Sequence, residues 1–275
     1  MRKLTDLVQN SLGKKDKYDR NVQVTEFMKD GIYRTMSNGV FVASKKVHDY
    51  SDLHLFGLPE GFEGVRLLID KIPFKYWIMV LDFYKDVYEK HGTEASVLFY
   101  YNHADLDIPQ YYPDGIIQDG RLIVYCPKQR NTGVRSKFDD EQMRWLEDNT
   151  YPILETHSHH VMKTFFSTID DLNEQRFMFY GVYGEINTYD NFKLRYMYQG
   201  EHVEVPATTL FEFPDWASDR GDVNDNEKVI DLVDIEKGCF KNTHSYPDCW
   251  FNQIDRSVDL DPVEMRVVMS EEVLY

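Results

Sequence analysis

The chain has 275 residues and a mass of 32.6 kDa, enough for one large domain or for one ordinary domain with extensions. Its formal charge is −16, with 47 acidic against 31 basic residues, so we expect neither nucleic acid nor an anionic membrane surface as a partner. No apolar stretch approaches the roughly 18 to 20 residues that cross a bilayer, and three cysteines form no disulfide framework, so the cytoplasm is the expected compartment.

The pattern of apolar residues predicts mixed strands and helices. Asn38-Gly39 lies between two β-rich runs and favours a hairpin turn. The clearest helix has Pro73 at its first position and Gly92 at its C-terminal stop. In chain order we predict a hairpin over 31–46, a strand over 65–71, a helix over 73–91, strands over 94–101 and 121–126, a helix over 139–149, an extended segment over 153–159, a helix over 167–175, and strands over 176–186 and 192–205.

Polar segments separate these elements. Residues 102–120 are predicted to be a loop, and residues 127–138, which are polar and basic, are predicted to be a flexible insertion. After about Pro206 the composition becomes acidic, and residues 219–227 are expected to form a solvated loop because they lack the ligand pattern of a calcium-binding EF-hand. No internal repeat is visible in the sequence.

One segment, from Glu155 to Asp170, concentrates side chains with catalytic or metal-binding potential. On an extended chain, residues i and i+2 point the same way, so His157 and His159 present two imidazoles on one face. Two such nitrogens are a natural half of a zinc site, and Asp170 in the following helix could supply an anionic third ligand. Water at the remaining position would become a nucleophile near neutral pH, and the Ser167 hydroxyl could donate to an oxyanion.

Each of these pieces also has an ordinary structural interpretation. A His-x-His pair on a strand is more often a polar pair than a metal site, and Ser167-x-x-Asp170 also has the pattern of a helix capping box. The whole ordered combination, however, should arise by chance only roughly once in a thousand such sequences, which favours the metal site. Cys239, His244 and Cys249 could form a second zinc site, but they lack a fourth ligand, and a structural or solvent-exposed role is favoured there.

The ordered pattern resembles the signature of the JAMM (MPN+/JAB/Mov34) zinc metalloproteases: an upstream Glu, then H-[ST]-H, seven residues and S-x-x-D. His157-Ser158-His159 supplies the first part, and Ser167 and Asp170 follow at the family's interval. Glu94, at the start of a strand that follows an amphipathic helix, takes the place of the upstream Glu. The resemblance covers about residues 65–200, and residues 171–174 look like those of prokaryotic and phage-type members.

The resemblance implies an α/β (α+β) fold with a curved, largely antiparallel sheet flanked by helices, here with an N-terminal β-hairpin and a C-terminal acidic extension. It implies Zn²⁺ held by His157, His159 and Asp170, with water as the fourth ligand. It also implies that Glu94 is the general base and then the proton donor to the leaving amine, and that Ser167 stabilises the tetrahedral intermediate.

The resulting hypothesis is a zinc-dependent isopeptidase or peptidase that acts on a protein substrate with an extended tail, a ubiquitin-like C-terminus being one candidate. The alternative hypothesis is a non-catalytic MPN-like binding or assembly module, viral or cellular, with a structural zinc site. The predicted domains are an N-terminal extension with a β-hairpin over 1–64, a JAB/MPN-like metalloprotease domain over 65–205 and a C-terminal extension of unknown role over 206–275.

Glu94 has a competitor for the role of general base. Strand alternation places Glu155 on the same face as His157, about 6 to 7 Å away along the chain. Glu155 nevertheless lies back from the strand end at which the metal must open to substrate, whereas a neighbouring strand can place Glu94 across from the metal. We therefore predict that Glu94, and not Glu155, is the base.

Overall fold

A computed structural model describes residues 8–9, 22–50, 57–104, 106–108, 114–131, 136–138, 141–186, 191–214 and 245–255. Within these ranges the chain is an α+β protein with a mostly antiparallel sheet and few helices, which confirms the predicted class. The acidic stretch 219–227 lies outside the described residues, as do Cys239 and His244 of the second candidate zinc site. No helix in the described ranges is both long enough and apolar enough to span a membrane.

The predicted hairpin, the long helix and the strands that follow it are confirmed, with bounds shifted by a few residues, but the predicted loop over 102–120 contains a strand, Ile116–Asp119. The elements are β1 (Val8–Gln9), β2 (Val22–Met28), β3 (Gly31–Ser37), β4 (Phe41–Asp49), β5 (Gly64–Leu67), β6 (Ile72–Pro73), α1 (Phe74–His91), β7 (Ser96–Tyr101), β8 (Ile116–Asp119), β9 (Leu122–Tyr125), β10 (Gln129–Asn131), β11 (Ser136–Phe138), α2 (Glu141–Asn149), β12 (Tyr151–Ser158), α3 (Thr168–Asn173), β13 (Phe179–Gly184), β14 (Asn191–Tyr198), β15 (Glu201–Val205), β16 (Phe211–Glu212) and β17 (Ile254–Asp255).

The largest sheet has the strand order β15-β14-β13-β12-β7-β9-β8. Its neighbouring strands are antiparallel except for β12 and β13, which are parallel. A parallel pair requires a crossover connection, and here the chain leaves the carboxyl end of β12, forms α3 and returns as β13. The crossover therefore places α3 directly after the strand end that contains the His-x-His segment.

Helix α1 packs on one face of this sheet. Its apolar stripe belongs to the main core, and the hydroxyl of Tyr84 lies 2.9 Å from the carbonyl oxygen of Thr156 in β12. The helix ends at Gly92, whose φ of 64° is the left-handed conformation that glycine adopts without strain. Pro73 precedes the helix as its cap residue, one position earlier than predicted. Since Thr156 faces α1, the neighbouring His157 faces the other side of the sheet.

Helix α2 covers part of that other side. Its buried Leu146 packs with Leu98, Tyr100, Ile123 and Tyr125 of strands β7 and β9. This second cluster lies beside the amino-terminal half of β12, because Leu98 is the register partner of Glu155. The carboxyl end of β12, with the histidine pair, lies beyond this register position.

The predicted hairpin is part of a five-stranded sheet of order β1-β2-β3-β4-β5. Its β3–β4 turn docks against the large sheet, since the side-chain amide of Asn38 donates to the carbonyl oxygens of Pro152 at 3.3 Å and Phe177 at 3.2 Å. The ring of Phe41, at the start of β4, lies 4.4 Å from that of Phe179 between centroids. The two sheets therefore share one core.

Segments from the C-terminal part of the chain also belong to this core. Phe211 and Trp250 are fully buried, and the indole nitrogen of Trp250 donates to the carbonyl oxygen of Gly115 at 3.0 Å. Strand β17 pairs with β10, and β10 pairs with β11. The prediction of a flexible insertion over 127–138 is therefore wrong for the residues of β10 and β11, which form a hairpin.

Candidate metal centre

Three side chains predicted as metal ligands converge at the carboxyl end of β12. The Nε2 atom of His157 lies 3.2 Å from Nε2 of His159 and 3.4 Å from Oδ1 of Asp170. The Nε2 atom of His159 lies 3.8 Å from Oδ2 of Asp170. The three donor atoms all lie within 4.8 Å of one another, so the group could hold a metal ion.

Strand β12 ends at Ser158, and the second histidine follows it directly. The amide of His159 donates to the carbonyl oxygen of Tyr183 in β13, and the next residue, His160, has a φ of 38°. A positive φ is uncommon for a residue other than glycine and often occurs at functional sites. The His160 ring stacks on Tyr88 of α1, with 5.0 Å between centroids. The turn thus leaves His157 and His159 as the imidazole pair of this cluster.

Asp170 is oriented by the start of its own helix. Its Oδ2 atom accepts a hydrogen bond from the backbone amide of Ser167 at 2.7 Å, and its own amide donates to the Ser167 hydroxyl oxygen at 3.2 Å. This is the capping box that the sequence offered as an alternative to a metal ligand. The geometry supports both roles at once, because Oδ1 of the same carboxylate faces His157.

Ser167 is partly exposed at the N-cap of α3, on the same side as the cluster. Its hydroxyl oxygen accepts from the Asp170 amide, which leaves the hydroxyl hydrogen to be donated elsewhere. The chain therefore provides a hydroxyl donor one turn of helix before a candidate ligand.

Glu94 lies two residues before β7, the strand that neighbours the histidines. Ser96 is the register partner of His157, and the carbonyl oxygen of Ala95 accepts from the amide of Ser158 at 3.0 Å. Because side chains alternate along an extended chain, Glu94 points to the same face as Ser96 and His157. Its side chain is buried, with 4% exposure. The charges of His157 and Asp170 act on its carboxyl group, which indicates that Glu94 lies near the cluster.

The start of β7 is held by a residue that the sequence did not indicate. Strand β9 ends before Pro127, which has no amide hydrogen to continue the ladder. The side-chain amide of Gln129 replaces that ladder, since it accepts from the Ser96 amide at 2.8 Å and donates to the Ser96 carbonyl oxygen at 2.9 Å. Gln129 is 1% exposed. It fixes the backbone two residues from Glu94.

Glu155 occupies a different position from Glu94. Its register partners are Leu98 in β7 and Tyr180 in β13, two residues back from His157 along β12. Burial raises the pKa of its carboxyl group, and the positive charges of His157 and then Arg176 partly offset that effect. Glu155 therefore faces the side covered by α2 and not the strand end.

The charges of the metal-free cluster are strongly coupled. Burial alone would lower the pKa of His157, but the carboxylates of Asp170 and Glu94 raise it to about 9. Burial and the neighbouring His157 lower the pKa of His159 to about 3. Despite its burial, the pKa of Asp170 is held well below its usual value by His157 and by the Ser167 amide. At neutral pH the cluster thus holds one imidazolium, one neutral imidazole and one carboxylate.

The same environment acts on Glu94. Burial is the main effect and raises its pKa to about 8, with His157 lowering it and Asp170 raising it. A carboxyl group with a pKa in this range changes its protonation state near neutral pH. Such perturbed groups in clefts are candidates for acid–base roles.

Two further residues near α3 escaped prediction. Arg195 in β14 and Glu174 at the C-cap of α3 form a buried ion pair with a distance of 2.7 Å between Nη2 and Oε2. The only sequence signal for them is the pair of acidic residues, Asp171 and Glu174, three positions apart on α3; their partner lies more than 20 residues further along the chain.

A scan against protein-family models matches no family, and a search of curated proteins finds no matching relative. The arrangement of His157, His159, Asp170 and Glu94 is thus the basis on which a function can be proposed.

Proposed function

We propose that this chain is a zinc-dependent isopeptidase or peptidase of the JAMM type, which hydrolyses a peptide or isopeptide bond in a protein substrate with an extended tail. The observation that supports this proposal is the convergence of His157, His159 and Asp170 within 4.8 Å, next to the buried carboxyl group of Glu94. These residues follow the order of the JAMM pattern in the sequence, and His157, His159 and Asp170 lie close together in space.

The donor set suits zinc. Zinc prefers imidazole nitrogens and carboxylate oxygens at about 2.0–2.2 Å in a tetrahedron, whose edges are then about 3.3–3.6 Å long. The three separations between donor atoms, 3.2, 3.4 and 3.8 Å, are close to those edges. Structural zinc sites usually have four protein ligands, whereas catalytic sites have three and leave a position free. Within the described ranges the cluster has three, which favours the catalytic type over the structural zinc of the alternative hypothesis.

Zinc bound there would supply Lewis acidity, which lowers the pKa of a bound water to near 7 and polarises the scissile carbonyl group. Glu94 takes a proton from the attacking water and returns it to the leaving nitrogen, so the bond to that nitrogen breaks as the new carboxyl group forms. In the metal-free protein burial raises the pKa of Glu94 to about 8, and a bound cation would lower it and favour the carboxylate that accepts the proton. The Ser167 hydroxyl donates a hydrogen bond to the oxyanion of the tetrahedral intermediate.

The exposure of the cluster bears on the class of substrate. His157 and Asp170 are only partly exposed and His159 is buried. A centre of this kind is accessible to an extended main chain and not to a folded surface. We therefore propose a tail of a protein as the substrate, with the C-terminal tail of a ubiquitin-like protein as one candidate.

The test is metal-dependent turnover of tailed substrates. The protein, stripped with a chelator and refilled with zinc, is incubated with a panel of ubiquitin-like proteins that bear C-terminal peptide or isopeptide extensions. We expect cleavage by the refilled protein and none by the stripped protein or by Glu94→Gln. Stable binding of a tailed protein without cleavage would instead favour the binding module.

A further inference from the structure

The helix that provides Asp170 lacks the usual means of attachment to a protein core. Helix α3 has six residues, all described, and none of them is buried. Of its two large apolar residues, Leu172 is 73% exposed and Ile169 is only partly buried. Most helical stability in proteins comes from packing of an apolar face, and a helix this short is marginal by itself. Something other than apolar packing must therefore hold this helix in place.

Arg195 in β14 makes the contacts that can do so. Its Nε atom donates to Oε2 of Glu174 at 2.7 Å, and its Nη1 atom donates to Oδ1 of Asp171 at 2.6 Å. Its guanidinium carbon lies 3.7 Å from the ring centroid of Phe166. These three partners lie before, within and at the end of α3, on either side of Asp170 in the sequence.

Arg195 lies in a rigid part of the sheet. Arg195 is 5% exposed in its side chain, and β14 is hydrogen-bonded to β13 on one side and to β15 on the other. A guanidinium group has several donors in one rigid plane and can also stack on an aromatic ring. A lysine ammonium group has neither property. One side chain can therefore fix both the orientation and the distance of α3 relative to the sheet.

We propose that Arg195 is a positioning residue for the metal centre: by clamping α3 through Asp171, Glu174 and Phe166, it holds the Asp170 carboxylate at the distance that the two histidines require. This inference rests on the metal site of the proposed function. Arg195 does not touch the ligand atoms; it acts through the helix. Outer partners of this kind typically change metal affinity by about 10- to 100-fold when they are removed.

The test compares variants on the same strand. Arg195→Met removes the charged contacts to α3. Arg195→Lys keeps the positive charge but loses the planar arrangement of donors. Asp171→Ala removes one of the two charged partners, whose side chain is 52% exposed. Lys193→Met is the matched control, because Lys193 lies two residues away in β14 and pairs with Glu204 at the surface. Zinc affinity is measured by competition with a chromophoric chelator, and the geometry of the site by the visible absorption of the cobalt(II) protein.

We expect zinc affinity to fall by about 10- to 100-fold in Arg195→Met, with a partial fall in Arg195→Lys and in Asp171→Ala and no change in Lys193→Met. The cobalt spectrum should change in Arg195→Met and Asp171→Ala and stay that of wild type in the control. Should Arg195→Met fail to fold, Asp171→Ala decides the proposal, because its exposed side chain contributes little to the core.

The experiment distinguishes failure of the proposed role of Arg195 from failure of the proposed metal site. Wild-type affinity and an unchanged cobalt spectrum in folded Arg195→Met or in Asp171→Ala would overturn the role of Arg195 while the metal site stands. A wild-type protein that binds no zinc would overturn the proposed function itself, and this inference with it.

Discussion

The two sides of β12 hold their functional groups by different physical means. On the β7 side, Glu94 lies between a well-packed helix and a strand whose backbone is tied to β12 and to the Gln129 amide. On the β13 side, Asp170 belongs to a short helix without buried side chains, which Arg195 and His202 contact through Asp171 and Glu174. The proposed base is thus fixed by core packing and backbone ladders, and the proposed third ligand by charge-assisted hydrogen bonds. Mutations on the β7 side should therefore change turnover without changing zinc affinity, and mutations on the β13 side should change zinc affinity.

The largest expected effect tests the β7 side. Glu94→Gln keeps the size of the side chain but cannot accept a proton, so turnover should fall by about 10²- to 10⁴-fold. Zinc content and folding should stay as in wild type, because Glu94 is not among the three ligands. The measurements are steady-state turnover, metal analysis and thermal unfolding.

Glu155→Gln is the matched control for that change. It removes a carboxyl group of the same type from the same face of the sheet, two residues from His157. Turnover should fall by less than about tenfold, since this carboxyl group lies back from the strand end. The reverse ranking of the two variants would move the base to Glu155.

The pH dependence of metal binding tests the β13 side. The carboxylates raise the pKa of metal-free His157 to about 9, so below that pH the ion must displace a proton from this ring. His159, with a pKa of about 3, is already neutral and adds no such cost. Zinc affinity should therefore rise by about tenfold per pH unit between pH 6 and pH 8. A flat profile in chelator competition over this range would contradict the assignment of the imidazolium to His157.

A smaller effect is expected from the residue that ties down β7. Gln129→Met keeps the approximate volume but leaves the amide and carbonyl groups of Ser96 without their partner, which should lower the free energy of unfolding by about 1–3 kcal/mol. Turnover should fall while zinc affinity stays within about twofold, because the ligands lie on β12 and α3. Loss of zinc affinity in this variant, measured as for wild type, would show that the two sides are not independent.

Local patterns were sufficient to predict much of the fold and the convergence of His157, His159 and Asp170. Helix α1 follows from apolar periodicity between Pro73 and Gly92, and the group of candidate ligands follows from strand alternation and the interval that resembles the JAMM pattern. Each of these signals lies within one short stretch of chain, where residue spacing translates directly into geometry.

The supporting residues could not be predicted in this way. Gln129 and Arg195 act across 33 and 21 to 24 residues of chain, and no local spacing encodes those contacts. The β10–β11 hairpin was missed because Gln129 and Asn131 are polar but buried, whereas pattern analysis takes polar residues as solvent-exposed. Side-chain hydrogen bonds to a distant backbone become visible only once the strands are in register.

The metal content of the purified protein tests the central claim most directly. The protein is washed with chelator, refilled with zinc, desalted and analysed for metal, in parallel with the His157→Ala/His159→Ala double variant. The structure predicts close to one zinc per wild-type chain and none retained by the double variant, with both proteins folded. No zinc in wild type, or equal zinc in the two proteins, would contradict a metal centre at the end of β12.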